Sequence, residues 1–202
     1  MRIIFFACAL AAALQGSALR ATPAPEAGDA SAPLAKALLR DLQRMLREEL
    51  LLEPQARLFL DIPFREFSVR AESLRAYRSG ADPGSLLTDV RRRLYPAVDA
   101  DGDLALAFLL SRDGGRWEEA GYAPNDLVKE LRYWRWERSG GGKRDMNGFF
   151  WVSIPEKGLD FLGEAGAEGL LLIPLADHRL KAWKRGKAVP ASEVFRALAA
   201  GG

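Results

Sequence analysis

Leu34, Leu38, Leu39, Leu42, Met45, Leu46 and Leu50 recur at intervals of one, three and four residues, while Arg40, Asp41, Arg44, Arg47 and Glu48 lie largely outside that stripe. This spacing predicts an amphipathic helix over 34–53, closed by Pro54, with its apolar face on a core. Its polar face mixes both charge signs, which favours packing inside the protein over a membrane surface, where a basic face is expected. Apolar runs at 57–62 and 64–69, separated by Pro63, predict two strands. Asp82 before Pro83 supplies an N-cap and a proline at the first helical position. Leu86, Leu87, Val90 and Leu94 then predict a second helix ending before Pro96, with Arg91, Arg92 and Arg93 complementing the dipole of its last turn.

Beyond Val98 the pattern changes to short apolar runs between turns. Residues 104–110, the turn Asp113-Gly114-Gly115 and residues 116–120 predict a strand, a tight connection and its partner. Residues 131–137, 149–154, 169–175 and 179–184 predict further strands. Residues 189–199 predict a closing helix, with Val194, Phe195 and Leu198 inward and Ser192 as a cap. Helices early, strands late and no regular βαβ alternation define an α+β class: amphipathic N-terminal helices packed on a mainly antiparallel β-sheet, with a short C-terminal helix.

The first 33 residues follow different rules. Arg2, the apolar run 3–14 and the small-residue exit through Gly16 and Ala18 predict a secretory signal peptide over 1–21, cut after Ala18 or Ala21. The run is shorter than the roughly 20 apolar residues that span a bilayer. Residues 22–33, TPAPEAGDASAP, carry no large apolar side chain and predict a flexible spacer. A single α+β domain is expected over 34–202.

Export changes the available chemistry. Cys8 is the only cysteine, and its loss with the signal leaves no disulfide, cysteine nucleophile or thiolate metal site. Lipid attachment at Cys8 is disfavoured by Phe5 and Phe6 and by the apolar run that continues past the cysteine. Arg2 and Arg20 are the only charges in the signal, so the formal charge of +2 falls to +1 or zero after cleavage. A near-neutral chain argues against nucleic acid as a partner. Neither Asn125 nor Asn147 begins a glycosylation sequon, and with the missing disulfides this points to a bacterial periplasmic or secreted protein.

Aromatic and basic residues concentrate between Leu131 and Trp151. Read as two strands joined by a glycine-rich basic loop, this segment forms a hairpin with Trp134 and Trp136 on one face and Tyr133 and Arg135 on the other. Arg132, Trp134, Arg135, Trp136, Lys143, Arg144 and Trp151 are therefore the candidate ligand-binding residues. Indoles stack on sugar or aromatic rings, and Arg and Lys engage carboxylates or phosphates. The competing expectation buries the tryptophans in the sheet with arginines lying over them.

Other motifs carry less. Glu137 and Arg144 stand where a phosphate-binding loop needs glycine and Ser or Thr. In DADGD, the glycine after Asp99 and Asp101 comes too early for a calcium loop, and Leu110 replaces its final glutamate, so Asp99, Asp101 and Asp103 read as a turn. His178, the only histidine, reads as a turn residue, and no serine lies in GxSxG. Glu118, Glu119, Glu130, Glu137, Glu156 and Asp160 permit a two-carboxylate glycosidase without singling out a pair.

The expectation is an exported bacterial envelope protein acting as a noncatalytic ligand-binding or protein-interaction module. Its partner is an envelope protein, a glycan or a lipid headgroup, with no cofactor, no metal and no transmembrane segment after signal cleavage. A cofactor-independent hydrolase acting on envelope material is the alternative, and a structural accessory subunit is a third reading.

Overall fold

A computed structural model describes residues 29–49, 56–166, 169–177 and 183–200. The predicted signal peptide, most of the predicted spacer, His178 and most of the predicted strand at 179–184 lie outside the described residues. The elements in chain order are α1 (Ala32–Glu48), β1 (Phe59–Leu60), β2 (Phe64–Ser68), α2 (Ala71–Ala76), β3 (Thr88–Val98), β4 (Leu104–Asp113) and β5 (Arg116–Tyr122). They continue with α3 (Asn125–Arg138), β6 (Phe149–Ile154), β7 (Leu159–Gly166), β8 (Gly169–Pro174), β9 (Val189–Pro190) and α4 (Ala191–Ala200).

Among the described residues the strands form one sheet in the order β5-β4-β3-β2-β6-β7-β8-β9, with β1 also paired to β3. Every pairing is antiparallel except β2 with β6. The chain reaches β6 from the far edge strand β5 through α3, and this long crossover allows the central parallel pair. The class is α+β.

Side chains alternate across the central strands and separate the core into layers. Phe149 and Trp151 of β6 join Phe64, Leu94, Leu162 and Ile173 with Val128 and Leu131 of α3. Phe150, Val152 and Ile154 point the other way, to Phe67, Leu74 of α2 and Val194, Phe195 and Leu198 of α4. On β3 the same alternation sends Leu94 to the α3 side and Tyr95 and Ala97 to Ala35, Leu39 and Leu42 of α1. Strand β6 is buried along its whole length, as its continuous apolar run implies.

Three departures from the sequence reading have clear causes. The predicted helix after Pro83 is a single 3-10 turn, Pro83–Leu86, in which the Asp82 carboxylate does cap Gly84 N–H at 2.9 Å. From Thr88 the chain is a strand, because β3 finds β2 on one side and β4 on the other. Arg91 takes a left-handed φ of 56° at the bulge in that pairing, and the Asp89 carboxylate accepts its N–H.

The second departure is at 131–137, which is helical as part of α3. The predicted aromatic hairpin therefore does not form. Third, α1 begins at Ala32, inside the predicted spacer. Asp29 accepts hydrogen bonds from Ser31 and from the Tyr95 hydroxyl, and Ser31 is fully buried. Burial, with the Asp29 contact, pushes the Tyr95 phenol above its ordinary range.

Candidate functional site

Helix α3 decides where the predicted binding residues go. Leu127, Val128, Leu131, Trp134 and Arg135 fall on its inner stripe and meet the sheet, while Lys129, Tyr133 and Trp136 fall on the outer one. Arg135 is only 2% exposed. Its guanidinium donates to Ile62 O at 2.7 Å and to Asp61 Oδ2 at 3.1 Å, and lies 3.9 Å from the centre of the Phe64 ring. Burial pulls its pKa down to about 10, with Asp61 opposing the shift, so the charge is retained at neutral pH.

Arg132 shares the same carboxylate, donating from Nε at 2.8 Å, and reaches Gly102 O from Nη2 at 3.0 Å. Gly102 belongs to the turn in which Asp99 Oδ1 accepts the N–H groups of Asp101 and Asp103. Two predicted ligand residues thus tie α3 to the β1–β2 connection and to the β3–β4 turn.

The tryptophans separate. Trp151 is 8% exposed and donates from Nε1 to Asp160 Oδ1 at 2.8 Å. Trp134 is half-buried, donates to Glu130 at 3.1 Å, and lies so close over Gly186 that a Cβ there would fall 1.9 Å from the ring. Trp136 is 54% exposed and Tyr133 is 51% exposed.

Behind Trp136, Gly140, Gly141 and Gly142 hold successive φ values of 67°, 73° and 80°, a run that glycine adopts without steric penalty. The indole rests on this loop: a Cβ on Gly142 would lie 2.9 Å from Trp136 Cζ3. Ser139 Oγ closes the loop by donating to Trp136 O and accepting from Gly142 N–H. Lys143 and Arg144 are exposed on the loop.

A cleft of about 440 Å³ opens over the outer stripe of α3, bordered by Lys129, Arg132, Tyr133 and Trp136 with Asp61, Asp103, Leu104, Arg135 and Met146. It gathers Arg132, Arg135 and Trp136 from the predicted set. Trp134, Trp151, Lys143 and Arg144 do not line it. Sequence reasoning missed the other six lining residues, of which Lys129 and Tyr133 stand with Trp136 at the i, i+4, i+7 spacing of one helical stripe.

A second group of polar residues lies on the α3 side of the sheet. Glu66 of β2 is 5% exposed, hydrogen-bonds the Ser153 hydroxyl, and has Arg92 Nη1 3.5 Å from Oε2. Burial raises its pKa above the ordinary value of 4.5; Arg92 opposes the shift and nearby Asp160 adds to it. Asp160 is also raised by burial, with the Trp151 indole opposing. Asp160 borders a separate cleft of about 360 Å³ that Glu66 does not line.

A raised carboxyl binds its proton more tightly in the folded state, so its stabilising contribution is complete below the unfolded pKa and lost as pH rises through the folded one. Glu66→Gln is expected to gain stability relative to the wild type as pH increases above 4.5. Urea unfolding of both proteins between about pH 4 and pH 8 checks this. A constant difference across that range would show that the fold does not raise the Glu66 pKa.

No protein-family model, characterised protein or solved structure matches this chain. Among the described residues no helix is long and apolar enough to cross a membrane, and no three His, Cys, Asp or Glu side chains come together as a metal site.

Proposed function

We propose that this is an exported bacterial envelope protein, periplasmic or secreted, acting as a noncatalytic binding module with its ligand in the cleft above α3. The observation that carries this reading is Trp136: a 54% exposed indole backed by Gly141 and Gly142, one turn from exposed Tyr133 and lining the same cleft as Lys129. Exposed aromatic surface beside polar groups is the chemistry of recognition. Asp61, the carboxylate deepest in the interactions here, is engaged by two guanidinium groups. The carboxyls with raised pKa, Glu66 and Asp160, do not line this cleft, which favours binding over hydrolysis.

Equilibrium dialysis against soluble fragments of bacterial cell envelope tests the reading. Wild type is expected to retain ligand, while Trp136→Ala binds at least about tenfold more weakly and unfolds within about 0.5 kcal/mol of wild type. Equal retention by the two proteins would remove the cleft as the binding site.

A further inference from the structure

We infer that the ligand of this cleft is an acidic sugar carrying a single carboxylate, an inference that rests on the binding-module reading above. The lining sets three cations, Lys129, Arg132 and Arg135, against two anions, Asp61 and Asp103, leaving one net positive charge. The arginines are largely committed. Arg132 uses Nε and Nη2 on Asp61 and Gly102 O, and Arg135 uses both terminal nitrogens on Ile62 O and Asp61. Lys129, exposed on the outer stripe, makes no ion pair among the described residues. One ammonium outside any ion pair, in a lining of one net positive charge, matches a monoanion. A phosphate group, with a charge of roughly −1.5 to −2, would meet Asp61 and Asp103 with too little compensation.

The rest of the cleft selects the body that carries this charge. Trp136 offers an indole whose position is set by the glycine loop, and the apolar face of a pyranose ring stacks on such a surface. Asp103 is exposed and is an acceptor when ionised, so it suits ligand hydroxyl donors, which a simple aromatic acid lacks. The volume of about 440 Å³ lies within the roughly 300–1,000 Å³ range of small-molecule sites. Gly142 acts as a positioning residue: a methyl group there meets the indole at 2.9 Å and must move it.

Titration calorimetry of the full chain with galacturonate and with its methyl ester tests the assignment, since the ester keeps the ring and hydroxyls but removes the single charge. Wild type is expected to bind the acid about tenfold more tightly than the ester, as one charge-assisted contact allows. Lys129→Met should abolish that preference by weakening acid binding about tenfold, to the level of the ester. Gly142→Ala should weaken both compounds equally and shift the tryptophan emission.

Equal affinity of wild type for acid and ester would overturn the acidic assignment while leaving the binding module standing. A preference that survives in Lys129→Met would also overturn it. Absence of binding to both compounds by a protein that retains envelope fragments in dialysis would overturn the sugar class. Failure in dialysis itself would instead discard the module reading.

Discussion

Arg135→Ala is expected to lose about 2–5 kcal/mol of folding stability, the range for truncating a large buried side chain to alanine. The guanidinium supplies the donor to Ile62 O, half of the cationic shell of Asp61 and the packing surface over Phe64. Alanine removes all three and leaves a void at the centre of the α3 interface. Arg135→Met refills the void and restores the apolar contact, but not the donors, and should recover part of the loss. Urea unfolding measures both variants. A loss below about 1 kcal/mol for alanine, the level of an exposed ion pair, would mean that the guanidinium is not buried as described.

Trp151→Ala is expected to lose a similar amount, about 3–5 kcal/mol for a large aromatic removed from a packed interior. The ring fills the layer between β6 and α3, with Phe64, Leu131 and Leu162 in the same cluster. Its indole N–H also opposes the burial that raises the Asp160 carboxyl, so Trp151→Phe should lose less stability than alanine and raise that carboxyl further. Comparison with Trp136→Ala under the same denaturant series separates a core residue from a surface one. Equal stability losses for Trp136→Ala and Trp151→Ala would place both indoles in the core and remove the basis of the proposed site.

The predicted hairpin does not form, for a traceable reason. Tyr133, Trp134 and Trp136 are strand-favouring residues, and a glycine-rich loop between two aromatic runs resembles a hairpin connection. The helical stripe was present at Leu127, Val128, Leu131 and Trp134, but its next position is Arg135. An arginine at a core position reads as exposed until its partners are known, and Asp61 is 74 residues away in sequence. Pro124 followed by Asn125 and Asp126 was the available local sign of a helix start. The same limitation produced the false helix after Pro83: Leu86, Val90 and Leu94 fit a helical period, while the strand depends on two distant partners.

Local pattern by itself determined α1 except for its ends, the β4–β5 connection, β6, β8 and the α+β class, because apolar spacing and turn residues act over a few neighbours. It also supplies the predicted export signal, which rests on a charge, an apolar run and a small-residue exit in that order. The pairing of β2 with β6, the burial of Arg135 and the sharing of Asp61 by Arg132 and Arg135, and the elevation of Glu66 were decided only by tertiary structure. So was the separation of Trp136 from Trp134 and Trp151. Each depends on groups brought together from distant parts of the chain, where desolvation and charge pairing, neither encoded in local spacing, set the outcome.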